Sequence, residues 1–147
     1  MNELIQLIPH KKPFLFIDEV TSVSDVDIFT QVTFSTSEHA FYAGHYPHQA
    51  ITPGVILCEA VFQSAAILIA YKHISSSHEQ NKPHIPVLAR IDEARFKQIV
   101  YPGETLVIHA HYIEQVSKFV LMSGEIKKLD GSTVLKIKFT LTEHENT

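Results

Sequence analysis

The stretch "AGHYPHQAITPGVILCEAVFQ", Ala43–Gln63, joins a loop to a helix, and its second half decides the fold. Gly44, Pro47 and Pro53 punctuate the loop, which carries His45 near its start. Thr52 is a suitable N-cap and Pro53 fits the first helical position, so the helix is expected to start there and run to about His73. It is apolar on nearly every side, the pattern of a helix wrapped by other elements. Yet Glu59 sits among Ile56, Leu57, Ala60, Val61 and Phe62. A carboxylate there costs stability unless it is paired or put to use.

Upstream, "FLFID" (Phe14–Asp18) reads as a short apolar strand and "DIFTQVTF" (Asp27–Phe34) alternates like a half-buried one. A loop from Ser35 to Pro53 follows. Downstream, "SSSHEQNKPHIP" (Ser75–Pro86) is a polar loop in which Pro83 and Pro86 end any helix. The period then changes to two. "VLARIDEARF" and a "YPGE" turn precede three alternating runs, Leu106–Ile113, Phe119–Lys128 and Val134–Leu141. Asp130-Gly131 marks a hairpin between the last two. No repeat or linker divides the chain, so residues 1–147 read as one domain. One long helix against five or six mostly antiparallel strands gives an α+β two-layer domain.

At 147 residues, 45% hydrophobic and 19% charged, the chain can bury a core and reads as globular. A net charge of −4 argues against nucleic-acid binding, which demands clustered Lys and Arg. Cys58, the single cysteine, excludes a disulfide framework and suits a reducing cytoplasm. The opening "MNELIQLIPHKK" places its basic residues after the apolar ones, unlike a secretory signal. The apolar run Gly54–Tyr71 is short for a span of about 20 residues and carries Glu59 near its middle. A buried core helix is expected, not a membrane span.

Three groups converge on one chemistry. His45, between Gly44 and Tyr46-Pro47, is the natural candidate for proton transfer near neutral pH. Glu59 lies about 7.5 Å along the helix from Gly54, and helical side chains lean back toward the N-terminus. Gln63 shares its face at i+4 and can hold the carboxyl in one orientation. Carboxyl groups in apolar surroundings keep a proton to higher pH, which suits an acid. The helix start offers the free N–H groups of Gly54 and Val55 to an oxyanion, with Thr52 competing for one of them. Gly54 lets a substrate oxygen approach closely. Base, acid and oxyanion site suit proton abstraction beside a carbonyl, and elimination of water from a 3-hydroxyacyl thioester especially. The bland alternative is a loop histidine and a helix glutamate satisfied by a buried hydrogen bond.

Other residues read as structural. His109 and His111 share a strand face, and His45 and His48 lie three apart, but no carboxylate or thiolate at ligand spacing completes either pair, so no metal site is expected. Cys58 points away from Glu59 and reads as a small buried residue. His10 ties the N-terminal segment down, while Tyr46 and Phe62 read as packing or as walls of an acyl tunnel.

"PHKKPFLFID", "GHYPHQAITPGVILCEAVFQ" and "ARIDEARFKQIVYPGE", in order from Pro9 to Glu104, closely resemble the motifs of the FabZ-type 3-hydroxyacyl-[acyl carrier protein] dehydratases. The resemblance implies a hot-dog fold, a curled antiparallel sheet wrapped round one long helix. It implies a homodimer whose sites each combine the histidine of one chain with the glutamate of the other, and commonly a trimer of dimers. It implies that His45 removes the C2 proton, Glu59 protonates the departing hydroxyl, Gly54 N–H polarises the thioester carbonyl and Gln63 steadies Glu59. It implies no metal or dissociable cofactor, since the phosphopantetheine arm arrives with the substrate. The partner it implies is acyl carrier protein, whose acidic surface would meet Arg95 and Lys97, with Arg90 and Lys11-Lys12 as neighbours.

The chain departs from the family pattern at Lys11-Lys12, His48, Ala50 and Phe62, which border the loop and helix and bear on acyl fit. Fatty-acid elongation and a specialised polyketide-type pathway both remain open. A hot-dog thioesterase and a non-catalytic acyl-binding partner are the alternatives, and release of free thiol separates the first from a dehydratase. An isomerase ranks below these, because that relative carries aspartate where this chain has Glu59.

Overall fold

A computed structural model describes residues 1–76 and 84–145. After a 3-10 turn at Asn2–Leu7 come β1 (Glu19–Val23) and β2 (Asp27–Thr33). The helix α1 (Gly54–Ser76) follows, then β3 (His84–Phe96), β4 (Thr105–Val116), β5 (Phe119–Lys128) and β6 (Thr133–Glu145). The strands form one antiparallel sheet in the order β1-β2-β4-β5-β6-β3, curled round α1. This is the expected α+β hot-dog arrangement.

Alternation along the strands makes the core. Ile28, Thr30 and Val32 of β2, Leu106, Ile108 and Ala110 of β4, and Val120, Met122 and Ile126 of β5 are buried. Leu135, Ile137, Phe139 and Leu141 of β6 continue the same inner layer. On α1, Ala60, Val61, Ala65, Ile67 and Leu68 have no exposed surface. By length and composition α1 would pass for a membrane span, but 67% of its apolar window is buried inside the fold. It is the core helix.

Polar groups inside this core are matched. Ser64 Oγ donates to the Ala60 carbonyl at 2.9 Å and meets Thr30 Oγ1 at 2.9 Å. The expected hairpin joins β5 to β6: Asp130 Oδ1 accepts the Ser132 N–H at 2.8 Å, and Gly131 takes φ +88.

Three local expectations are corrected. Phe14–Asp18 is not a strand, because Gln63 of α1 takes the middle of its backbone, Phe16 N–H donating to Gln63 Oε1 at 2.8 Å, and it meets β2 just at its end, where Asp18 N–H donates to the Gln31 carbonyl at 2.9 Å. Thr52 is not the helix cap. Its Oγ1 pairs with Tyr42 Oη at 2.6 Å, and the Pro53 carbonyl accepts the first helical bonds, from Ile56 at 3.0 Å and Leu57 at 3.2 Å. Pro86 lies inside β3 and not in a loop, which an edge strand tolerates because only one of its sides is hydrogen-bonded. The loop expected before it falls largely at 77–83, outside the described residues.

Helix and sheet approach closely at Gly124 of β5. A Cβ there would lie 2.3 Å from Val61 Cγ1 and 3.2 Å from Ile137 Cγ2. Valine is stiff at χ1 and cannot swing clear. Gly124→Ala is expected to cost about 1–3 kcal/mol in urea unfolding through overpacking. Adding Val61→Ala should return part of that loss, and an undiminished midpoint in the single variant would contradict the close approach.

Candidate active site

The His45 loop is built on Tyr42, which is buried and anchored to Thr52. Thr52 N–H in turn donates to the Val100 carbonyl at 2.9 Å, tying the loop's end to the segment after β3. A 3-10 turn at Ala40–Ala43 leads into Gly44, and His45 N–H donates to the Tyr42 carbonyl at 3.4 Å. Tyr46 then takes φ +62, a left-handed conformation that bulky residues seldom adopt. Strain of this kind gathers where a neighbouring side chain is being aimed. Tyr46 was expected to pack, but it is 60% exposed and its ring stands edge-on to His45 at 4.6 Å.

His45 Nδ1 lies 2.8 Å from the Ile51 carbonyl. A carbonyl only accepts, so Nδ1 carries the proton and Nε2 keeps its lone pair. That is the tautomer a general base needs. Among the described residues no hydrogen bond or ion pair joins His45 to Glu59 of the same chain.

Glu59 is held from α1 and from the N-terminal segment. Gln63 Nε2 donates to Glu59 Oε1 at 3.1 Å, as the i+4 spacing predicts. The same nitrogen donates to the Phe14 carbonyl at 3.1 Å, while Gln63 Oε1 accepts from Phe16 N–H. Gln63 is fully buried, so this amide satisfies the segment's backbone and the carboxyl together. Sequence reasoning found the first contact and missed the other two, which join residues 47 and 49 apart.

His10 was expected only to tie the N-terminal segment down. Its Nε2 stands 3.5 Å from Glu59 Oε1, with the two side chains 26% and 24% exposed. Its Nδ1 is buried without a partner among the described residues. The signal was present in the sequence, since His10 belongs to a motif that Pro9 and Pro13 pin near the helix.

At the helix start, neither Gly54 N–H nor Val55 N–H has an acceptor among the described residues, because Thr52 does not cap them. A Cβ on Gly54 would stand 3.0 Å from the Phe96 ring. Phe96 is 51% exposed, so the donors sit where α1 meets the open edge of β3.

Cys58 is buried, and burial, with a contribution from the Glu59 charge, pushes its thiol up to about 11. It is inert at neutral pH. Phe62 packs edge-to-face on Phe139 at 4.9 Å. Arg95 pairs with Glu93 at 2.7 Å, and Arg90 pairs with Asp92. Lys97 lies just beyond the end of β3, where its N–H donates to the Val134 carbonyl. A carboxylate does stand between His109 and His111: Asp27 of β2, 2.6 Å from one and 2.8 Å from the other. Hydrogen bonding from His109 above all, with His111 adding, holds its carboxyl below the ordinary value.

Gln63→Leu would strand the buried Phe16 N–H, at a cost of about 1–3 kcal/mol. Urea unfolding should show that loss, and a variant as stable as the parent would deny Gln63 its bridging role.

A family model described as a FabA-like domain matches residues 8–138. The 3-hydroxyacyl-[acyl-carrier-protein] dehydratase FabZ of Rickettsia bellii is 34% identical over 140 residues, 95% of this chain and 92% of the relative. The protein of the same name from Lactococcus lactis subsp. cremoris is 32% identical over 142 residues, 97% of this chain and 92% of the relative. Among solved structures, the dehydratase heterocomplex ApeI:P from Xenorhabdus doucetiae aligns with a TM-score of 0.77 at 20% identity, covering 96% of this chain and 90% of that one. A hypothetical thioesterase from Streptococcus pneumoniae, bound to coenzyme A, aligns at 0.66 and 15% identity, covering 87% and 86%. At such identities the structures speak for the fold alone, and the fold serves both chemistries.

Proposed function

The chain belongs to the FabA-like domain family, among the FabZ-type 3-hydroxyacyl-[acyl-carrier-protein] dehydratases, and we propose that it removes water from (3R)-3-hydroxyacyl groups on acyl carrier protein to give trans-2-enoyl thioesters. It is a hydro-lyase acting in fatty-acid or polyketide-type synthesis, with residues 1–147 working as one domain. The thioesterase and silent-binding readings fall behind, since the relatives that match nearly the whole chain are named dehydratases.

The observation that carries the reading is the pair of oriented groups. His45 presents a free Nε2 because Nδ1–H is spent on Ile51, and Gln63 holds the Glu59 carboxyl. His45 Nε2 takes the proton from C2, and the electron pair moves onto the thioester carbonyl. The resulting negative oxygen is met by Gly54 N–H, with Val55 N–H beside it, at the positive end of α1. As the enolate collapses, C2=C3 forms and the C3–O bond breaks. The leaving hydroxyl takes the proton of Glu59 and departs as water. A proton passing from the imidazolium to the carboxylate resets both groups. Nothing in this sequence calls for a cofactor beyond the phosphopantetheine arm of the substrate.

The two groups act across a homodimer, His45 from one chain and Glu59 from its partner. Two features support that. Among the described residues no bond joins them within one chain, and the long edge strand β3 exposes Val87, Leu88, Ile91 and Phe96, the last of them beside Gly54. An unpaired apolar edge is a template for a second copy. Trimers of such dimers, docking of the carrier near Arg95 and Lys97, and a cytoplasmic location suited to the free Cys58 complete the proposal.

Purified protein with 3-hydroxybutyryl-acyl carrier protein should yield enoyl product without free thiol. His45→Ala and Glu59→Gln should each lower the rate roughly 10²–10⁴-fold. Refolding the two dead variants together in equal amounts should restore about a quarter of the parent rate, because half the dimers are mixed and each has one intact site. Thiol release would point to a thioesterase, and no restoration would place both residues in one chain's site.

A further inference from the structure

The side of the sheet facing away from α1 carries a cluster that the proposed dehydration does not use. Along β4, Ile108 and Ala110 point into the core, so His109 and His111 point out. The antiparallel register sets Asp27 of β2 directly opposite His111 and Phe29 opposite His109. Asp27 is therefore diagonal to His109, within reach of both imidazoles. Asp27 Oδ1 lies 2.6 Å from His109 Nε2 and 2.8 Å from His111 Nδ1. All three ligand-capable atoms fall within 4.8 Å of one another.

From this convergence we propose that Asp27, His109 and His111 form a surface binding site for a divalent first-row transition ion of the Zn²⁺ type. Two imidazoles and one carboxylate suit such ions, whereas Mg²⁺ and Ca²⁺ prefer all-oxygen shells. Tetrahedral bonds of about 2.0–2.2 Å place ligand atoms roughly 3.3–3.6 Å apart, so the two contacts to Oδ1 need open by roughly 0.5–1 Å. Coordination uses the lone pairs of Nε2 and Nδ1. Each ring then keeps its proton on the other nitrogen, and two N–H···O bonds give way to bonds to the ion.

The frame is stiff. All three residues sit in paired strands, and the His109 ring stacks on Phe29 with centroids 4.3 Å apart and planes 5° from parallel. The side chains are 35–43% exposed, so an ion reaches them without unfolding. His109 also lines an outer cleft of about 440 Å³ with Glu125, Lys136 and Arg95.

Calorimetric titration of tag-free, chelator-stripped protein with Zn²⁺ at pH 7.5 tests the site. One ion per chain is expected, with at least tenfold weaker binding in Asp27→Asn and in His111→Gln. Glu59→Gln, which alters the carboxylate 3.5 Å from His10, should leave the affinity unchanged. Thermal melts of the metal-free variants verify that they fold, and the parent's melting point should rise with Zn²⁺ while theirs should not. Absent binding, or affinity held within twofold in both site variants, overturns the proposal. So does loss of binding in Glu59→Gln, which would move the ion to His10 and Glu59.

Discussion

Everything in this fold answers to a 23-residue helix that is enclosed by a sheet and still carries polar side chains. A buried amide must find partners for both its oxygen and its nitrogen, or the fold loses the free energy of the missing bonds. Gln63 meets that demand with the backbone of Phe14 and Phe16 on one side and the Glu59 carboxyl on the other. The same amide therefore seats the N-terminal segment on the core and holds the Glu59 carboxyl.

The helix start follows a related logic. Thr52 spends its hydroxyl on Tyr42, which anchors the His45 loop, and so leaves the first N–H groups of α1 open. A capped start would be more stable by about a kilocalorie per mole. An open one is a place for negative charge. Gly54 and the neighbouring Phe96 put that place at the edge strand, where a second chain has both apolar surface and unpaired backbone to meet.

Strand alternation keeps two chemistries apart. Inward residues of β4 build the core behind α1, while the outward ones bring two imidazoles to a carboxylate of β2. Because the faces differ by one residue in register, neither set can be altered by sliding a strand without exposing the core. That coupling holds Asp27, His109 and His111 in place as firmly as it holds Ile28, Ile108 and Ala110.

Much of the molecule was legible from local pattern. The period of two gave the four long strands, Asp130-Gly131 the last hairpin, and the all-round apolar run the wrapped helix, because each depends on neighbours in sequence. The contact of Gln63 with Glu59 was legible from its i+4 spacing. What local pattern misread was decided by partners far along the chain. Phe14–Asp18 looks like a strand, yet Gln63 takes the Phe14 carbonyl and the Phe16 N–H; Thr52 looks like a cap, yet Tyr42 takes its hydroxyl. Asp27 lies 82 residues from His109, and only the pairing of β2 with β4 brings them together. Sequence determines which groups can bond and how each segment prefers to run. Tertiary structure decides which bonds are made, because a buried polar group takes whatever partner the enclosing core brings within 3 Å.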